Sequence, residues 1–324
     1  MNLWRFELHQ FITALRRNIA WHSQKLDYAW FLPALAHMPV KLASMICRWR
    51  GLLNARHARD WAELALGFSY IGERTAQAAA RIWPREDAKQ MVRERYISVA
   101  REEWHAALIH KHKLSSLHFD LCNLRHMLEG RQPDRGLVVL TAHFDSFIVG
   151  MIGLGMCGEA TSVTTSNVYQ NPQVHPDVQR FFDLKYQRAA QYMGGGKFLH
   201  VETSLNSLAK ALRRHETVVV VADAPSATQE NSVCISWMGK RRRLANGAIR
   251  LAQSTHSLVC AMVCITDHRG HVRWLCSDIH DPETDQASFQ KCFEHLESAI
   301  LSYPGRWWAA HLLEDYVCCD QTDD

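Results

Sequence analysis

Two short runs of the 324-residue chain hold side chains that could do chemistry together. One is Thr141-Ala142-His143-Phe144-Asp145-Ser146, which ends the charge-free run 136–142. The other is Ala222-Asp223-Ala224-Pro225-Ser226, which ends the run 217–222. An imidazole titrates near neutral pH, so His143 can take the proton from an attacking hydroxyl or amine. Each of the two runs also carries a carboxylate. Asp145, two residues on, and Asp223, at the end of a different run, are both candidate catalytic residues. Ser146 in the same turn is a candidate substrate contact.

A third feature is Lys240-Arg241-Arg242-Arg243, directly after Trp237-Met238-Gly239. Adjacent cations bind phosphate by charge-assisted hydrogen bonds, although a run of this kind is as readily a solvated basic loop before a helix. Other features exclude function classes. Gly194-Gly195-Gly196-Lys197 looks like a phosphate loop, but Gln191 replaces the first glycine and Phe198 stands where Ser or Thr would hold magnesium. There is no G-x-S-x-G elbow for a serine hydrolase. The nineteen histidines form no H-E-x-x-H or zinc-type array, so no metal is expected, and His105, His110 and His112 read as the solvated face of a helix. The basic residues form no broad stripe, which argues against nucleic acid.

These residues need a scaffold. The first 130 positions read as mostly helical, most clearly at 88–112, where Met91, Tyr96, Val99, Ala100, Trp104, Ala107 and Leu108 recur at helical spacing. Gly130 and Pro133 end that pattern. Beyond them, apolar runs at 136–142, 160–165, 217–222, 258–266 and 272–276 predict strands. Between and after them, helices are predicted at 145–157, 176–190, 204–215, 246–256 and 286–302. The alternation predicts an α/β fold with a mainly parallel sheet flanked by helices, whose active residues gather at the carboxyl ends of the strands.

Residues 1–60 hold nine Lys/Arg against three Asp/Glu, interleaved with Trp4, Phe6, Phe11, Trp21, Trp30, Phe31 and Trp49. That mixture suits a membrane interface. The apolar stretch 29–49 is broken by His37, Pro39 and Lys41, which favours attachment at the surface over spanning. An ordinary helical cap on the domain is the alternative. The expected organisation is a helical region over 1–84, a catalytic α/β domain over 85–317 and an acidic tail over 318–324. The ten cysteines include no C-x-x-C pair and no secretory leader precedes them, so reduced thiols in a cytoplasmic chain are expected.

The motifs from residue 85 to 317 resemble, in order, those of the late acyltransferases of lipid A biosynthesis. Glu102-Glu103 precede the core, and Leu140-Thr141-Ala142-His143-Phe144 is similar to the family's strand-to-helix histidine motif. Residues 218–223, Trp237-Met238-Gly239, residues 247–255 and Tyr303-Pro304-Gly305-Arg306-Trp307-Trp308 follow in the family's sequence. The resemblance implies a glycerolipid-acyltransferase-like fold. It also implies an acyl thioester donor on acyl carrier protein or coenzyme A, a lipid or small-molecule acceptor, no cofactor, and His143 as base. Lys240, Arg241, Arg242 and Arg243 would then meet the carrier, the donor's phosphates or a lipid headgroup, and the protein would sit on the cytoplasmic face of the inner membrane.

The family places Asp or Glu five residues after the histidine, and here that position is Ile148. Asp145 or Asp223 could replace the acid. An amine acceptor could lower the demand on the base. Loss of activity would leave a lipid- or carrier-binding protein, and water as acceptor would make a thioesterase.

Overall fold

The computed structural model describes residues 18–319 except 20, 58, 67–69, 167, 201–202, 227 and 283–286. Trp4, Phe6, Phe11 and positions 320–324 of the expected acidic tail lie outside the described residues. The centre is a seven-stranded sheet in the order β1-β9-β8-β2-β5-β3-β4. Its strands are β1 (His118–Asp120), β2 (Leu137–Thr141), β3 (Thr161–Thr165), β4 (Phe198–His200), β5 (Thr217–Val221), β8 (Leu258–Thr266) and β9 (His271–Cys276). Every neighbouring pair is parallel except β8 with β9. The expected α/β architecture is the one observed.

The sheet is covered on both faces, and the period of two divides the strand side chains between them. Leu137 and Val139 join a core with Ile148, Val149 and Ile152 of the Phe147–Met156 helix. Val138 and Leu140 join the opposite core with Leu251, Phe289 and Leu296, from the Gly247–Ser254 and Ala287–Ser302 helices. All five β2 residues are buried, and each Leu or Val so enclosed stabilises the fold by about 1.5–3 kcal/mol. The chain leaving β2 therefore crosses one face, and the helix that follows β5 lies on the other. Two adjacent parallel strands whose connections part in this way leave a crevice at their carboxyl ends.

The Ala88–His110 helix, capped by the Asp87 carboxylate on Lys89 N (2.9 Å), runs through the core that covers one face. Its faces do different work, as side chains three, four and seven apart align. Ser98, Arg101, Glu102 and His105 turn toward the loop after β2. Glu103 instead accepts from Tyr28 and Arg50, and Arg50 also clamps Asp27 in a buried fork (2.6–2.9 Å). Tyr28, Leu32 and Leu35 enter the same core, so the N-terminal helices are bolted to the α/β unit. No helix among the described residues is long and apolar enough to cross a membrane.

Several details correct the sequence reading. His105 is fully buried, not part of a solvated face. The basic run is not a loop before a helix but the strand β7 (Lys240–Ala245), paired antiparallel with β6 (Ser232–Trp237). Met238 and Gly239, both at positive φ (50° and 71°), make the two-residue turn between them. The cysteines are not all reduced. Cys234 on β6 and Cys319 form a disulfide, because the chain after Tyr316 runs beside β7, where Arg243 N donates to Val317 O (2.8 Å).

Candidate active site

The ladder between β2 and β5 pairs Leu137 with Thr217 and continues in step to Thr141 with Val221. Ala222 N donates to Thr141 O (2.8 Å), so the register holds one step further. Two residues past the last rung on each strand, His143 and Asp223 therefore face one another. The Asp223 carboxylate accepts from His143 Nδ1 (2.8 Å) through one oxygen and from His143 N (2.9 Å) through the other. Trp307 Nε1 donates to that second oxygen (2.7 Å), and Tyr316 OH donates to Asp223 O (2.8 Å). With Nδ1–H donating to the carboxylate, the basic lone pair lies on Nε2.

The pair is buried on one side only. Asp223 is fully enclosed, whereas the His143 side chain keeps 40% of its exposure. Burial by itself would push the Asp223 carboxyl up, but His143 and the Trp307 N–H hold it below the usual carboxylate range. For His143, burial pulls the pKa down and the Asp223 charge more than reverses this, leaving it above the ordinary histidine value. Phe147 and Trp308 flank the imidazole at 6.0 and 6.5 Å between ring centres.

The C-terminal motif closes this end of the sheet. Trp308 N donates to His143 O (2.8 Å), Asp145 N donates to Arg306 O (3.0 Å), and Phe144 bridges to Trp307. Asp145, the other candidate acid, does not meet the imidazole. Its carboxylate lies between Arg101 and Arg306 (2.6 Å to Arg306 Nη1) and accepts from Thr266 N (2.8 Å). Burial would raise this carboxyl, but the two guanidiniums hold it below the usual range. Its φ of 45° is a left-handed conformation that Asp tolerates better than most residues.

Ser146 is also occupied. Its hydroxyl is fully buried, bonded to Glu102 Oε2 (3.0 Å) and His105 Nδ1 (2.6 Å), so it faces no substrate. Burial brings His105 down to about 3, so that ring is neutral. Glu102 also takes Lys185 Nζ (2.6 Å) and receives Ile148 N (3.3 Å). The Ile148 side chain is core. The carboxylate expected at position 148 is thus absent, and the one beside this helix start comes from Glu102. Of the basic run, Lys240 and Arg241 are exposed, while Arg242 is enclosed against Tyr316, donating to Trp237 O (3.1 Å) and Leu313 O (3.0 Å). Arg242 is a strut of the hairpin, its guanidinium taken up by these two carbonyls.

Arg101, Lys185 and Tyr316 stand in no motif of the sequence and are recognisable only from the fold. Trp307 and Arg306 lie in the quoted closing motif, and that was the available signal.

A mainly parallel sheet with a histidine–carboxylate pair at the carboxyl ends of adjacent parallel strands is an α/β enzyme scaffold. The chain belongs to the bacterial lipid A biosynthesis acyltransferase family, which it matches over residues 16–311, and acyl transfer is that family's chemistry. Among solved structures it is similar to PlsC, the 1-acyl-sn-glycerophosphate (LPA) acyltransferase from Thermotoga maritima. The identity is 13% and the TM-score 0.35, over 81% of this chain and 96% of that one. No curated protein matches it significantly.

Proposed function

We propose that the protein moves an acyl group from a thioester, on acyl carrier protein or coenzyme A, to a hydroxyl or amine on a lipid or small-molecule acceptor. His143 Nε2 takes the acceptor's proton as its oxygen or nitrogen bonds to the thioester carbonyl. The tetrahedral intermediate then collapses, the C–S bond breaks, and the imidazolium returns the proton to the departing thiolate. Asp223 holds the ring with Nε2 outward and stabilises the imidazolium. The observation that carries this reading is the 2.8 Å contact of His143 Nδ1 with a fully buried carboxylate, which supplies an orienting acid despite Ile148. Lys240 and Arg241, exposed on the hairpin whose Trp237 packs edge-on against Trp307 (5.9 Å), are suited to the donor's phosphates or an acidic carrier surface. The N-terminal helices would rest on the cytoplasmic face of the inner membrane.

The test is thioester consumption by the purified protein and by His143→Ala and Asp223→Asn variants. Acyl-carrier and acyl-CoA donors are offered with and without a bacterial extract as acceptor source. Acceptor-stimulated turnover that both variants lose is the expected result. Turnover indifferent to acceptor would make the protein a thioesterase, and saturable donor binding without turnover would make it a binder.

A further inference from the structure

The Val40–His57 helix presents three faces. Ala43, Cys47, Arg50 and Asn54 are buried. Leu42, Met45, Trp49 and Leu53 form an exposed apolar stripe at helical spacing, with Trp49 64% exposed. Lys41, Ser44, Met45 and Arg48 line a cavity of about 410 Å³, so Met45 belongs to both the stripe and the rim. Trp30, 70% exposed, and Phe31 and Met38 extend the apolar surface toward the N-terminus.

The opposite wall of the cavity is Arg101 of the Ala88–His110 helix together with His268 and Arg269 of the turn between β8 and β9. Gly270 brings that turn close. A β-carbon there would lie 2.6 Å from Val40 Cγ1, and φ is 81°. Four cations from three separate segments thus line one cavity, with no Asp or Glu in its wall. Arg48 is partnered by Glu94 (3.3 Å), and Arg101 shares the single Asp145 carboxylate with Arg306. Lys41 and Arg269 have no carboxylate within ion-pair distance among the described residues. The cavity therefore carries net positive charge beside an apolar surface, a combination that suits a lipid with an anionic headgroup. Its volume is in the range of small-molecule pockets.

We infer that this cavity is a headgroup site, in which the phosphate of an anionic phospholipid is held by Lys41, Arg269 and Arg101 while the Leu42–Met45–Trp49–Leu53 stripe enters the bilayer surface. The inference rests on the membrane-contact reading above and adds the lipid class and the residues that select it. It is independent of the chemistry at His143.

Vesicle flotation of the whole protein tests it, with phosphatidylcholine alone and with phosphatidylcholine doped with phosphatidic acid. Preference for the doped vesicles is expected. The double substitution Lys41→Gln/Arg269→Gln should weaken binding to them about thirtyfold, at roughly one charge's attraction per residue. Lys210→Gln/Arg213→Gln, which removes the same charge from an exposed helix elsewhere, should leave it unchanged. Trp49→Ser should weaken binding to both kinds of vesicle. Equal losses in the two double variants would overturn the site in favour of diffuse attraction. Binding of inorganic phosphate without preference for doped vesicles would overturn the lipid assignment. Binding to both vesicle types that is insensitive to Lys41 and Arg269 would sink the headgroup site and leave membrane contact standing, while no binding to any vesicle would sink both.

Discussion

Asp145 and Asp223 are both fully buried, both lie a few residues past the ends of the adjacent strands β2 and β5, and both have pKa values held low by neighbouring cations. Their partners separate them. Asp145 is gripped by two guanidiniums and a backbone N–H, all fixed, and it joins the loop after β2 to the Ala88–His110 helix, β8 and the C-terminal motif. Asp223 faces one titratable ring with an open edge, plus an indole that never changes charge. A carboxylate saturated by permanent cations can only hold things in place. One paired with a half-exposed imidazole can respond to a proton.

The most severe break of that contrast is Asp223→Asn. It should keep the fold and lower kcat by about 10⁴, roughly 5 kcal/mol of transition-state stabilisation, in a thioester-turnover assay. Asp145→Asn should do the reverse. Leaving two arginines against a neutral amide in a buried cluster is expected to cost about 3–5 kcal/mol of stability, read as a lower urea midpoint, with smaller change per folded molecule in kcat. If the asparagine at 145 abolished turnover at full stability, the division of labour would be wrong.

Much of this was legible beforehand. The runs that became β2, β5 and β8 have no charge and are rich in Val and Leu, so burial on both faces was written into their composition. The hairpin was not legible. In Lys240-Arg241-Arg242-Arg243 no apolar residue alternates with the cations; the run is a strand because it pairs with β6, and the contacts of Arg242 with Tyr316 and two carbonyls enclose the one cation that faces inward. β1 and β4 have three residues each, too few for a period. The choice between Asp145 and Asp223 could not be read from the chain either. Nearness in sequence favours Asp145, and only the in-step pairing of β2 with β5 brings Asp223 to the ring. The Cys234–Cys319 link, 85 positions apart, had no local signature.

Two smaller effects sharpen the comparison. In Lys240→Glu/Arg241→Glu, KM for a carrier-bound donor should rise about tenfold while kcat holds, since exposed cations at an interface act on encounter more than on chemistry. The smallest effect is the pH profile. Because His143 has its pKa raised above 6.5, the ion pair's stabilisation is fully present below that value and is lost as pH rises through the folded-state pKa. The base needs the neutral ring, so kcat/KM should climb on the alkaline side through an apparent pKa above 6.5, and residual Asp223→Asn activity should climb at lower pH. A rising limb centred below 6.5 in the wild type would contradict the pairing.

The Trp307 and Tyr316 contacts also carry a meaning in time. A chain is made from its N-terminus, and domains begin to fold as they emerge. All the sheet strands and His143 precede Tyr303, so they are translated first, yet Asp223 has its indole donor and the hydroxyl on its own carbonyl only after residues 307 and 316 have docked. A nascent chain thus carries its histidine long before the carboxylate is fully dressed, and the crevice is complete only when the segment from Tyr303 to Tyr316 folds over it.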